Sequence, residues 1–157
     1  MRRYIKSRRG RLLIATLVAA TAAAQVAFAA AGATGAARAT VQTRTTSLGR
    51  ILVDGQGRTL YLFEKDKGGH SACYARCAKF WPPVLTTGKP AAGPGARASL
   101  LGMTRRTNGT EQVTYAGHPL YRFLEDKHPG QTKGEGSKAF GAEWYVLSPA
   151  GKKIDKS

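Results

Sequence analysis

Three side chains able to hold a metal or exchange electrons stand in one short stretch, His70-Ser71-Ala72-Cys73-Tyr74-Ala75-Arg76-Cys77. Two readings follow from their types and spacing. In a chain with 2 cysteines, a pair separated by three residues closes a small disulfide loop if the chain is exported from the reducing cytoplasm. On a helix, His70, Cys73 and Cys77 fall at i, i+3 and i+7, so all three could face one way. Two thiolates and an imidazole would suit a soft ion such as Cu(I) or Zn. The spacing is not Cys-x-x-Cys, and Ala78 follows Cys77, so thioredoxin-like exchange and covalent haem attachment do not fit.

The next candidates are carboxylates and phenols, and they come in duplicate. Leu60-Tyr61-Leu62-Phe63-Glu64-Lys65-Asp66-Lys67 returns as Leu120-Tyr121-Arg122-Phe123-Leu124-Glu125-Asp126-Lys127. Asp66 and Asp126 could be read as a catalytic pair, but the same place in two copies indicates the same structural duty. A carboxylate just beyond a strand accepts backbone N–H bonds from the following loop. Calcium is disfavoured, because Asp66-Lys67-Gly68-Gly69 supplies no ladder of oxygen ligands. Tyr61 and Tyr121 read as buried rings with bonded hydroxyls, and His118 and His128 as surface residues beside turns. The chain contains no nucleophile elbow, phosphate loop or His-Glu-x-x-His pattern. No catalysis and no cofactor are therefore expected.

These residues must be positioned by elements, and the duplication names them. Arg50 to Asp54, the turn residues Gly55-Gln56-Gly57 and Arg58 to Phe63 read as a hairpin. Glu111 to Tyr115, Ala116-Gly117 and His118 to Phe123 read as its second copy. A two-residue turn at Ala116-Gly117 sets Val113 opposite Leu120, Glu111 opposite Arg122 and Gln112 opposite Tyr121. Equal turns in both copies would set Val53 opposite Leu60 and Ile51 opposite Leu62. Tyr61, Phe63, Tyr121 and Phe123 then share the face expected to form the common core. Ser71 to Phe80 reads as a helix stopped by Trp81-Pro82-Pro83. Residues 86–98 read as a surface loop, 127–136 as a Gly-rich loop, and Glu143 to Ile154 as a terminal hairpin. Trp81 and Trp144 are expected to plug the two ends of one core. The fold class is mainly β: two related β-hairpin units in one small domain with one short helix between them.

The N-terminus is read as an address. Arg2, Arg3, Lys6, Arg8, Arg9 and Arg11 precede an apolar run, Leu12 to Ala24, and Ala27-Phe28-Ala29 offers a small-x-small cleavage site. The run is too short and alanine-rich to favour a spanning helix. Residues 1–29 are thus expected to be a signal peptide, 30–47 a flexible tether, and 48–157 the folded domain. Within the domain, repeat 1 is about 48–85, the linker 86–98 and repeat 2 about 99–147. Six of the 25 Lys and Arg lie in the signal, leaving 19 against 9 Asp and Glu, a net of +10 for the mature chain. Such a charge gives weak attraction to anionic envelope polymers or lipid headgroups. The basic residues are scattered rather than interleaved with aromatics, which speaks against specific nucleic-acid binding.

Tyr-x-Phe-x-x-Asp at Tyr61 to Asp66 and at Tyr121 to Asp126, with Ser71-Ala72-Cys73, Cys77-Ala78, Trp81-Pro82-Pro83 and Tyr115 to Tyr121, resembles a known pattern. It is that of a bacterial secreted-repeat family, predicted lipoproteins with a Yx(F/W/Y)xxD motif, and it covers about Leu48 to Ile154. The family's biochemical role is uncharacterised, so the resemblance implies no catalytic residues. No cysteine occurs in the signal region, so lipid anchoring is not expected. The expected role is an exported envelope or extracellular binding or structural module. The alternative is a copper-, zinc- or redox-handling protein using His70, Cys73 and Cys77.

Overall fold

The computed structural model describes residues 37–156; the expected signal peptide and the first part of the expected tether lie outside them. In chain order the elements are β1 (Thr40–Thr46), β2 (Gly49–Asp54), β3 (Tyr61–Phe63), α1 (Arg76–Phe80), β4 (Ala91–Ala92) and β5 (Leu101–Arg105). There follow β6 (Glu111–Tyr115), β7 (His118–Pro119), β8 (Trp144–Leu147) and β9 (Lys153–Ile154). The described part is mainly β, with sheets ordered β2-β1-β4, β3-β8-β9 and β5-β6-β7. Short bridges join the sheets: Tyr61 with Tyr121, Pro83 with Tyr121, and Leu85 with Gln112.

Backbone polar groups must find partners, and the way they do so shows a pseudo-twofold arrangement. Tyr61 and Tyr121 exchange both hydrogen bonds, N–H to C=O, at 2.9 and 3.0 Å. On one side of this point β3 runs against β8, with Tyr61 opposite Val146. On the other, Tyr121 lies opposite Pro83, and the N–H groups of Val84 and Arg122 donate to Leu120 and Pro82. The segment after Trp81 therefore pairs with the second motif, and the segment after Trp144 pairs with the first. Each half lends its closing segment to the other. The first strand of each half corresponds as well: β1 runs antiparallel to β2 as β5 does to β6.

The central strands are buried on both faces, which is why they read as unbroken apolar runs. Side-chain alternation divides them between two cores. Leu52, Leu60, Leu62, Val113, Leu120, Tyr145 and Leu147 enter one. Ile51, Val53, Tyr61, Phe63, Trp81, Tyr121, Trp144 and Val146 enter the other, with Phe123 packed against it.

Four expectations need correction. Residues 40–46, read as tether, form β1, paired along its length with β2 and at its start with β4. Only Val41 of β1 is fully buried, so the strand is held by backbone bonding and β-branched threonines, which leave no apolar period. Second, β2 takes β1 as its main partner, and its register with the following segment is shifted: Val53 lies opposite Thr59, not Leu60. The cause is the turn. Asp54 accepts the N–H groups of Gln56 and Arg58 at 2.9 and 3.0 Å, closing a three-residue loop. The other turn has two residues, Ala116 and Gly117, with φ +50° and +81°, a primed type that suits a tight hairpin. There Leu120 does bond Val113, but the pairing goes no further: Gln112 lies opposite Leu85 and not Tyr121, and Glu111 accepts the N–H of Thr86 rather than facing Arg122.

Third, the helix shrinks to Arg76–Phe80, because Ala75 takes φ +48° and breaks the run from Ser71. The linker in turn contains β4 and a 3₁₀ turn at Ala98–Leu100. Fourth, Trp81 and Trp144 do not plug opposite ends. Their rings stack on each other at 3.9 Å.

Candidate functional site

The two motif copies form one site around the pseudo-twofold. In each, Tyr and Phe two residues apart enter the same core, and a tight turn follows: the N–H of Asp66 donates to Phe63 and that of Asp126 to Phe123. The turn aims the carboxylate back at the strand. Asp66 accepts the N–H of Ala72 at 2.7 Å and the hydroxyl of Tyr121 at 2.8 Å. Asp126 accepts the N–H of Lys133 at 3.0 Å and the hydroxyl of Tyr61 at 2.5 Å. Each aspartate thus ties down its own following loop and the tyrosine of the other copy. The N–H of Gly134 also donates to the Tyr61 oxygen at 3.3 Å.

Electrostatics follow from burial. Loss of water raises the Asp66 carboxyl to about 6, against the opposing pull of the Ala72 N–H and the Tyr121 hydroxyl. Burial likewise raises Asp126. Both phenols rise well above their ordinary range, through burial and the negative carboxylates beside them. The phenols therefore keep their protons and donate them to the two aspartates.

Next to Tyr121 lies a polar network built on Arg106, which is only 5% exposed. Its guanidinium donates to Ser71 Oγ at 2.8 Å, Gln112 Oε1 at 2.6 Å and the Cys73 carbonyl at 2.7 Å. It also lies 4.4 Å over the Tyr74 ring. Alternation along the strand end turns Arg106 inward while Arg105 stays exposed. Nothing in the doublet marked one arginine as buried. Asp54 is the other buried charge that sequence reasoning missed, and it takes Arg122, which had been expected opposite Glu111, at 2.6 Å. Burial works against its charge, but the N–H of Arg58 and the Arg122 guanidinium outweigh it and hold the carboxyl below its ordinary value.

Cys73 and Cys77 are joined in a disulfide with Cα atoms 5.2 Å apart. Oxidised sulfurs are not thiolate ligands, so the metal reading of His70, Cys73 and Cys77 would require prior reduction. His70 is exposed, with Nδ1 3.4 Å from Thr104 Oγ1. Among the described residues no cluster of His, Cys, Asp and Glu is arranged to hold a metal. His118 and His128 are exposed, as is Leu124.

Between the two tyrosine–aspartate pairs runs a stack of four rings. Phe63 lies 4.0 Å from Trp144, Trp144 3.9 Å from Trp81, and Trp81 4.3 Å from Phe123, the indoles within 6° of parallel. Tyr61 stands edge-on to Trp81 at 5.3 Å, and Tyr121 edge-on to Trp144 at 5.1 Å. The Phe123 end opens on a largely apolar cleft of about 450 Å³ lined by Arg76, Phe80, Trp81, Phe123, Glu125 and Phe140 among others. Phe140 holds φ +64°, a strained conformation for a bulky residue, and its ring lies 6.1 Å from Phe80. The Phe63 end borders a second cleft of about 420 Å³, lined also by Glu64, Asp66, Lys67, His118 and Lys153.

A family model described as a secreted repeat of unknown function matches the chain twice, at residues 42–85 and 102–148. Both matches begin inside the corresponding strands β1 and β5, which agrees with the structural correspondence of the two halves. No curated protein and no solved structure matches the chain.

Proposed function

Because the chain belongs to the family of secreted repeats of unknown function, we propose that it is a non-catalytic binding or structural module of the cell envelope or extracellular space. The observation that carries this reading is the reciprocal clasp. Tyr61, Asp66, Tyr121 and Asp126, the residues that define the motif, are hydrogen-bonded to one another across the two copies. Their hydrogen bonds lock two repeats into one domain, and they do not make up a set of nucleophile, base and orienting group. Among the described residues no helix is long and apolar enough to cross a membrane. Attachment to the envelope would instead rest on the excess of basic residues and on the aromatic cleft at Phe80, Phe123 and Phe140.

The test is co-sedimentation of the mature domain with phosphatidylglycerol vesicles and with neutral phosphatidylcholine vesicles. The expected result is binding to the anionic vesicles alone, weakening as salt rises, and a lower bound fraction for Phe80→Ala if the cleft takes part. Absence of binding, together with two alkylatable thiols and stoichiometric copper or zinc lost in His70→Ala, would replace this reading with metal handling.

A further inference from the structure

We propose that the stacked indoles and their two tyrosine–aspartate pairs form a relay for single electrons through the middle of the domain. Tryptophan and tyrosine are among the side chains most easily oxidised by one electron, and the arrangement meets what each requires. An oxidised indole is stabilised when its positive charge spreads over a second ring. Trp81 and Trp144 lie face to face at 3.9 Å and 6°, nearer than the offset or edge-on contacts that aromatic pairs ordinarily prefer. An oxidised phenol must lose its proton, because the phenol radical cation is a very strong acid. Tyr61 is already hydrogen-bonded to Asp126 Oδ2 at 2.5 Å, and Tyr121 to Asp66 Oδ2 at 2.8 Å. Burial strengthens both carboxylates as proton acceptors. Each phenol also touches a different indole, so the pseudo-twofold places a tyrosine–carboxylate pair at each end of one indole pair, Tyr121 lying in addition 2.8 Å from Ser71 Oγ. Phe63 and Phe123 cover the outer ring faces, keeping water from the radical. Trp81 and Phe123 border the cleft beside Phe80 and Phe140, where electrons would enter or leave.

A one-electron oxidant in that cleft, of the class of oxygen-derived radicals or high-potential metal complexes, takes one electron from Trp81. The indole radical cation is shared with Trp144. Tyr61 then gives one electron to the indole as its phenolic proton passes to Asp126. The indole is neutral again, Tyr61 is a neutral phenoxyl radical and Asp126 is a carboxylic acid. Tyr121 and Asp66 serve Trp144 in the same way. A one-electron reductant such as ascorbate restores the phenol, which recovers its proton from the carboxyl group.

The mature chain is tested with photogenerated tris(bipyridine)ruthenium(III) as oxidant, followed by transient absorption and electron paramagnetic resonance. The expected course is an indole radical that decays into a tyrosyl radical, more slowly in D₂O than in H₂O. In the Tyr61→Phe/Tyr121→Phe variant the indole radical should persist and the tyrosyl signal be lost, whereas Tyr74→Phe should behave as the unaltered protein. Asp66→Asn/Asp126→Asn should also lose the tyrosyl signal. An unchanged tyrosyl signal in the double tyrosine variant would overturn the proposal. So would the absence of a solvent isotope effect in the unaltered protein, a measurement that stands even where a variant fails to fold.

Discussion

The clasp leaves each aspartate with two hydrogen-bond donors, one of them the phenol of the other copy. Asp126 has two, the Lys133 N–H and the Tyr61 hydroxyl. Tyr61→Phe removes one and leaves a buried acceptor short, a loss of about 1–3 kcal/mol. Urea denaturation of Tyr61→Phe, Asp126→Asn and the double variant should give a coupling of about 0.5–3 kcal/mol. Asp66 adds a pH dependence of defined sign. Its folded value of about 6 lies above the ordinary 3.8, so the fold binds this proton more tightly than the unfolded chain does. The corresponding stability is fully present below about 3.8 and is lost as pH rises through about 6. Asp54, whose value is lowered, acts oppositely: its contribution is present above 3.8 and lost as pH falls through its folded value. Thermal melts across this range should therefore show less change between the two Asp66 values in Asp66→Asn than in the unaltered protein. From the sequence it was legible that each aspartate would accept backbone N–H groups of the loop after it. That its second donor would be the other copy's tyrosine was not, because residue types give no distance between copies.

Among the elements, what the periodicity revealed were faces, and what it left open were partners. Alternation in Leu60 to Phe63 correctly separates Leu60 and Leu62 from Tyr61 and Phe63, yet the same alternation fits any neighbouring strand. The register of the first hairpin went astray because Asp54 closes a loop one residue longer than Ala116-Gly117 does. β1 was invisible for a different reason: a threonine-rich strand with one buried apolar residue has the composition of a linker. Its importance can be measured. Were residues 30–47 a tether, a chain beginning at Leu48 would melt like the longer one. With β1 central in its sheet, that shorter chain should lose its cooperative transition, read by circular dichroism. The disulfide should matter less: it closes a loop far shorter than the 15 residues for which about 3 kcal/mol is estimated. Cys73→Ser/Cys77→Ser should accordingly cost less than that in a denaturant titration.

For the molecule as a whole, the central claim is that two homologous halves are completed by each other. The segment after Trp81 pairs with the second motif, β8 pairs with the first, and the two indoles meet between them. The duplication was plain in the sequence, but it suits two hairpins side by side as well as two that exchange strands. The choice depends on contacts such as Tyr61 with Tyr121, which no single repeat contains. Dividing the chain within the linker tests the claim most directly, with residues 37–97 and 98–156 prepared separately and then mixed. Each half alone should lack a cooperative thermal transition and native tryptophan fluorescence, and an equimolar mixture should regain both as a one-to-one complex. A cooperative transition in either half alone, or two halves that fold without binding each other, would contradict it.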